Sequence, residues 1–371
     1  MRYYLIAGEA SGDLHGSNLI KGLRAADPEA EFRFRGGELM SSAAGGTAPV
    51  VHYRDGAVMG FAEIASKACS LALSLKACKE DIVAWKPDVV IPIDYPGFNL
   101  RIARFCHARD IKVFYYIPPK TWASREGRNR KLKAWVDKLF IVFPFEVPYF
   151  SKKGIPFVYK GNPLVDAVDG HKWSRPAEGR YLALLPGSRK AEISRMMPVC
   201  MEVADRMGMQ VLVAGAPSAG MEEYAPYIGE RKNVKVLFDR TYDILKFADA
   251  AIVNSGTASL EAALIGTPQV VCWSSSALTF FVADKLMGVR RRIKYISLGN
   301  LCLGRLAFKE LVQGDFNADN VCGELDRLLN DGNCRASMLA DYAQIRDALG
   351  GSGASQAIAE AMIKELKKPT I

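Results

Sequence analysis

Short β-rich runs alternate with helical patterns along this 371-residue chain, and they do so in two series. The first series holds an apolar run starting at Tyr3, then residues 89–93, 112–116 and 138–142. The second holds residues 181–185, 210–214, 234–238, 250–253 and 269–273. Strands spaced by helices predict parallel sheets covered on both faces. Two series, each with its own Gly-rich turns, predict an α/β protein: two Rossmann-like doubly wound domains facing a cleft. The segment from Gly161-Asn162-Pro163 to Gly179 is rich in Gly, Pro and polar residues and marks the break. The expected division is residues 1–165, residues 166–348, and a helical segment 349–371 introduced by Gly350-Gly351-Ser352-Gly353.

The ends of the strands carry the polar motifs. Ala7-Gly8-Glu9-Ala10-Ser11-Gly12-Asp13 follows the first run and opens a helical pattern at Leu14, Leu19, Ile20 and Leu23. Gly8 and Gly12 permit a tight turn and close approach of a ligand, and a helix start favours an anion. Taken alone, the same glycines suit packing equally well. Leu184-Leu185-Pro186-Gly187-Ser188-Arg189-Lys190-Ala191-Glu192 has the same form and adds a hydroxyl and a guanidinium, a set that would grip a diphosphate. A basic first helical turn opposes the helix dipole, which favours that reading over a plain cap. Val253-Asn254-Ser255-Gly256-Thr257-Ala258-Ser259-Leu260-Glu261 repeats the strand–turn–helix form. Ser255, Gly256 and Thr257 offer hydroxyls and amides, and Glu261 sits where it could accept ribose hydroxyls or serve the local helix charge. Asp94, in Ile93-Asp94-Tyr95-Pro96-Gly97-Phe98-Asn99, stands at the C-terminal end of a buried strand. It is a candidate general base or a helix cap.

Lys and Arg exceed Asp and Glu by 49 to 40, a net charge of +9, which favours an anionic partner. Lys120, Arg125, Arg128, Arg130, Lys131, Lys133 and Lys138 concentrate in one segment with Trp122 and Trp135. No RNP motif or zinc finger accompanies them, so nucleic acid is not expected; a solvated basic face is the plain alternative. The eight cysteines show no CxxC pair and the four histidines no HxxxH pattern, which predicts free thiols in a reducing compartment and no structural metal. The first strand leaves no room for a signal peptide, and no apolar run reaches eighteen residues. A cytoplasmic protein, or one peripheral on the inner face of the inner membrane, is expected. Residues 61–85 read as a helix with an apolar stripe and interspersed lysines, either ordinary core or a membrane-seeking surface.

In order and spacing these motifs, together with Val58-Met59-Gly60-Phe61-Ala62-Glu63 and Leu298-Gly299-Asn300-Leu301, resemble the lipid-A-disaccharide synthases, glycosyltransferases of the two-domain B fold. The resemblance spans nearly the whole chain. It implies an inverting, metal-independent and cofactor-free transfer from UDP-2,3-diacylglucosamine to 2,3-diacylglucosamine 1-phosphate, giving the lipid A disaccharide 1-phosphate and UDP. It implies Asp94 as the base and Arg189 at the donor phosphates. Gly187, Ser188, Ser255, Gly256, Thr257, Glu261 and Asn300 would line the UDP side of the second domain. Gly8, Glu9, Ser11, Gly12, Asp13 and Asn99 would form the acceptor side of the cleft, with the acids meeting sugar hydroxyls or arginines. Met59, Phe61, Ile64, Leu71 and Leu75 would face the membrane and acyl chains, and the basic segment would meet an anionic lipid surface. A homodimer by exchange of the C-terminal segment is compatible with the Gly350–Gly353 hinge.

The chain departs from the family pattern at Gly97, where a second aspartate is usual, at Ser124 in place of a tryptophan, at Asn162 in place of a histidine, and at Gly299 in place of a proline. Loss of the second carboxylate leaves Asp94 as a single base. Two alternatives share the pattern: another UDP-sugar enzyme of the same fold, such as a UDP-N-acetylglucosamine 2-epimerase, and a catalytically decayed lipid- or nucleotide-binding protein.

Overall fold

The structure, a computed structural model, describes residues 1–54, 64–217, 219–275 and 294–368, with the backbone course alone for residues 64–69. The chain divides into two compact units: residues 1–166 with 350–371, and residues 167–349.

In the first unit the strands are β1 (Arg2–Ile6), β2 (Glu31–Gly36), β3 (Val51–His52), β4 (Val89–Pro92), β5 (Phe114–Tyr116), β6 (Lys138–Ile141) and β7 (Phe157–Tyr159). They alternate with α1 (Ala10–Ala26), α2 (Glu38–Ala43), α3 (Ile64–Trp85), α4 (Pro96–His107), α5 (Arg128–Trp135), α6 (Glu146–Lys153) and α7 (Pro163–Asp169), whose last residues enter the second unit. The order β3-β2-β1-β4 is all parallel, and parallel bridges Val90–Val113 and Ile93–Tyr116 carry it on to β5-β6-β7. Strand β1 is buried along Tyr3, Tyr4, Leu5 and Ile6, the mark of a central strand covered on both faces.

The second unit repeats the scheme with β8 (Tyr181–Leu185), β9 (Gln210–Gly215), β10 (Val234–Phe238), β11 (Ala250–Asn254), β12 (Gln269–Trp273) and β13 (Glu310–Val312), in the parallel order β10-β9-β8-β11-β12-β13. Its helices include α8 (Lys190–Met207), α9 (Ala225–Ile228), α10 (Thr241–Phe247) and α11 (Thr257–Ile265). Both units are therefore doubly wound, each with a topological switch point, between β1 and β4 and between β8 and β11, where ligands of such sheets gather.

The helix Ala354–Leu366 packs on α1 in the first unit. The approach is close: a Cβ on Gly22 would lie 2.8 Å from the Ser355 carbonyl oxygen and 3.1 Å from Ala359 Cβ. Asp166 anchors the start of this helix, its carboxylate accepting from the Gly353 and Ser355 amides at 2.5 and 2.8 Å.

The membrane-facing reading of the helix α3 is corrected. Leu75 does not face a membrane: it is 8 % exposed and joins Cys78 and Ile82, at i+3 and i+7, in the core under α3. Leu71 is half-buried against the same cluster, and Leu73 and Val83 are exposed apolar residues of that helix. Met59 and Phe61 lie outside the described residues, as does the side chain of Ile64. Cys78, Cys106, Cys200 and Cys272 are buried free thiols. No helix among the described residues is long and apolar enough to cross a membrane.

Candidate active site

In the first unit the switch point joins the turn after β1 to the turn after β4. A Cβ on Gly8 would come within 2.5 Å of the Tyr95 ring, so the two loops touch. Asp94 and Tyr95 both adopt left-handed backbone, φ 43° and 45°, a conformation that costs non-glycine residues energy and persists only where neighbours enforce it. Here the enforcers are visible. The Asp94 carbonyl accepts from Asn99 Nδ2 at 2.8 Å and from the Tyr115 hydroxyl at 2.6 Å. The Asp94 amide donates to the carbonyls of Tyr116 and Ile117. Asn99 Nδ2 also reaches the carbonyls of Ile93 and Ile6, tying β4 to β1. Asn99 is fully buried, so it positions Asp94 and does not itself meet an acceptor. Burial keeps the Tyr115 hydroxyl protonated, well above its ordinary range.

Glu9 is exposed at the start of α1 and accepts from Ser11 Oγ at 2.8 Å. Asp13 has a different task from the one expected. It is 2 % exposed, and its carboxylate accepts from the amides of Gly37, Met40 and Leu39 at 2.7, 3.2 and 3.1 Å. It thus caps α2, burial raises its pKa against those three amides, and no sugar or arginine can reach it. Gly12 is buried in packing behind the turn.

In the second unit the turn after β8 meets the turn after β11. Gly187 has φ +110°, and a Cβ there would lie 2.5 Å from Glu192 Oε2 and 2.6 Å from Asn254 Nδ2. Only glycine fits. The amides of Ser188 and Arg189 converge on Glu192 Oε2 at 3.0 and 3.3 Å, and Arg189 Nη1 reaches Oε1 at 3.0 Å. A carboxylate thus marks the position where the α8 N-terminus and a guanidinium attract negative charge. This exposed ion pair is of the weak surface kind. Ser255 hydrogen-bonds through Oγ to the Ile296 carbonyl, Gly256 precedes α11, and Thr257 begins it. Glu261, one turn in, accepts from the Tyr242 hydroxyl at 3.0 Å, and burial raises its carboxyl above the usual range.

Asn300 does not belong with these. It is fully buried: Nδ2 donates to the Phe308 carbonyl and to Glu310, and Oδ1 accepts from the amides of Ala307 and Phe308. With its amide engaged on both sides, it holds residues 307–310 in place and has nothing left for a nucleotide.

The family model for lipid-A-disaccharide synthetases matches residues 3–362. The chain belongs to that family. It is 34 % identical over 372 residues to the lipid-A-disaccharide synthase of Trichlorobacter lovleyi, covering 96 % of each chain. Against that of Geobacter metallireducens it is 36 % identical over 381 residues, covering 99 % of this chain and 98 % of the relative. Among solved structures it is similar to a putative UDP-N-acetylglucosamine 2-epimerase from Listeria monocytogenes, with a TM-score of 0.72 at 13 % identity, over 100 % of this chain and 97 % of the other. That likeness concerns the fold, which is the glycosyltransferase B fold. The protein is a glycosyltransferase of lipid A biosynthesis, and its substrates are a nucleotide-sugar donor and a sugar-phosphate acceptor.

Sequence reasoning passed over two groups at these loops, Tyr242 and Glu146, and gave a third, Asn99, another role. Tyr242 comes from another strand–helix unit, and nothing local announces its bond to Glu261. Asn99 was assigned to the acceptor, whereas it shapes the Asp94 turn. Glu146 opens the helix α6 that follows β6, and its place in a strand–turn–helix unit was the available signal. It is 2 % exposed and accepts from Trp122 Nε1 at 3.2 Å and from the amides of Phe143 and Val142 at 3.2 and 3.3 Å. It thereby secures the loop between β5 and α5.

Proposed function

We propose that the chain transfers a diacylglucosamine unit from UDP-2,3-diacylglucosamine to the 6-hydroxyl of 2,3-diacylglucosamine 1-phosphate, with inversion at the anomeric carbon. Asp94 takes the proton as the acceptor oxygen bonds to the donor's C1. The bond from C1 to the diphosphate oxygen breaks, and its electron pair leaves on UDP. The Ser188 and Arg189 amides, the Arg189 guanidinium and the α11 N-terminus would stabilise that developing charge. Glu261 retains lone pairs for ribose hydroxyls. Among the described residues no three His, Cys, Asp or Glu side chains converge as metal ligands, and the charge-stabilising groups named here are all protein donors.

The observation that carries this reading is the enforced left-handed turn at Asp94, at the switch point of its sheet. A Cβ at Gly97 would meet nothing within 4 Å, so the missing second aspartate is not a packing necessity, and the mechanism runs on one carboxylate. The test is Asp94→Asn, assayed for disaccharide and UDP. Loss of a general base predicts a fall of about 10²–10⁴-fold in kcat. Turnover near the wild-type rate would remove Asp94 from this role.

The enzyme would work at the inner face of the inner membrane, held there by the basic residues of the 120–138 segment and by the acyl chains of its substrates. Release from membranes by a high-salt wash supports this, because screening shortens the reach of exposed charges. Fully soluble behaviour at low salt would argue against it.

A further inference from the structure

The loop from β5 to α5 starts against Asp94, whose amide bonds to the carbonyls of Tyr116 and Ile117. It carries two arginines at its far end. Arg125 is exposed and held at φ 52°, another enforced left-handed residue, and Arg128 is half-buried in the first turn of α5. The Arg128 amide closes a turn on the Arg125 carbonyl at 2.9 Å, which keeps both residues on one bend. Elsewhere in this unit Arg33 is ion-paired with Asp81 and Arg54 with Glu38, while Arg24 and Arg101 donate to backbone carbonyls. Among the described residues neither Arg125 nor Arg128 has a hydrogen-bonded or ion-paired partner for its side chain.

Arg128 is within electrostatic reach of the Asp94 carboxylate and the Tyr115 hydroxyl, which favour its charge. Burial and the neighbouring Arg125 oppose it and prevail, so Arg128 stands below the ordinary arginine range. Two arginines on one bend, one exposed and one half-buried, with one carboxylate within electrostatic reach, are short of negative charge. Thr121, 1 % exposed on the same loop, has a hydroxyl oxygen with no partner among the described residues.

We propose that Arg125 and Arg128 form the binding site for the phosphomonoester of the acceptor sugar. Planar guanidiniums match phosphate oxygens in bidentate fashion, and a phosphomonoester supplies the charge that the pair lacks. The inference rests on the proposed transfer, because it places the acceptor's phosphate beside the carboxylate that would deprotonate its hydroxyl. The site would select a sugar 1-phosphate over the free sugar.

The test compares the full-length wild type with Arg125→Gln, Arg128→Gln and Arg128→Lys, and with Arg130→Gln as a control on the exposed side of the same helix. Calorimetry with glucosamine 1-phosphate and with glucosamine needs no turnover. The wild type should prefer the phosphate by at least about tenfold. Both Gln variants should lose that preference, Arg128→Lys should keep part of it, and Arg130→Gln should keep all of it. In the transferase assay the Gln variants should raise the acceptor KM and leave the donor KM unchanged. A lipid-headgroup role is separated with phosphatidylglycerol vesicles. If the Gln variants release the vesicles yet still discriminate the two sugars, the pair serves the membrane and the proposal falls. It also falls if wild type binds both sugars equally. If no disaccharide forms but the phosphate preference is present and lost in the variants, the transfer reading fails and the anion site stands.

Discussion

Glu146 offers a quantitative test of how this fold holds its first unit. Burial pushes its carboxyl from the ordinary 4.5 up to about 7, against the Trp122, Phe143 and Val142 donors and Lys120, which pull it down. In the folded chain the group thus binds its proton more tightly than in the unfolded chain. Stability contributed by that proton is complete below about pH 4.5 and is lost as pH rises to about 7. At about 1.4 kcal/mol per pH unit, the window is worth on the order of 3 kcal/mol. Glu146→Gln stays neutral throughout. Its amide can still accept from the backbone pair but turns a donor toward Trp122, at a roughly constant cost of about 1–3 kcal/mol. Urea unfolding of both proteins, followed by intrinsic fluorescence across that range, should therefore show wild type ahead at low pH. Its lead should shrink by about 3 kcal/mol on the way to pH 8, with the two curves converging or crossing. Parallel curves would refute the burial argument. A lead that grows with pH would mean that the three donors outweigh desolvation.

Gly187→Ala places a Cβ against Glu192 and Asn254 in left-handed backbone, so it should cost about 1–3 kcal/mol and weaken UDP binding at least about tenfold by titration; undiminished affinity would discount this loop. Asn300→Ala strands buried partners at Phe308, Ala307 and Glu310 and should destabilise by about 1–3 kcal/mol, while the donor KM of the folded variant stays put. Leu75→Ala should lower stability by about 2–5 kcal/mol without changing salt-dependent release from membranes, because the side chain belongs to the core.

The alternation of strands and helices was legible because buried parallel strands leave short apolar runs bounded by Gly-rich turns. Residues 181–185, 234–238 and 269–273 coincide with β8, β10 and β12. The edge strands β7 and β13, three residues each, carry too little pattern to stand out. At the sites, residue type and strand-end position brought Asp94, Gly187, Ser188 and Arg189 to their loops. The same rule misassigned Asp13 and Asn300, because a polar side chain reads alike in sequence whether it faces a substrate or satisfies buried backbone amides. Leu75 failed for the converse reason: apolar periodicity reports that a helix has a sticky face, and only packing says what it sticks to.

The return of the helix Ala354–Leu366 to α1 has a consequence for synthesis. Residues 167–349 form one continuous stretch of the second unit and can close as soon as they leave the ribosome. The first unit cannot. Its α1 helix emerges early, yet the surface around Gly22 stays bare until the second unit has been made and residues 354–366 follow. The half translated first is the half finished last, and a nascent chain must keep that apolar seam from mispairing for most of its translation time.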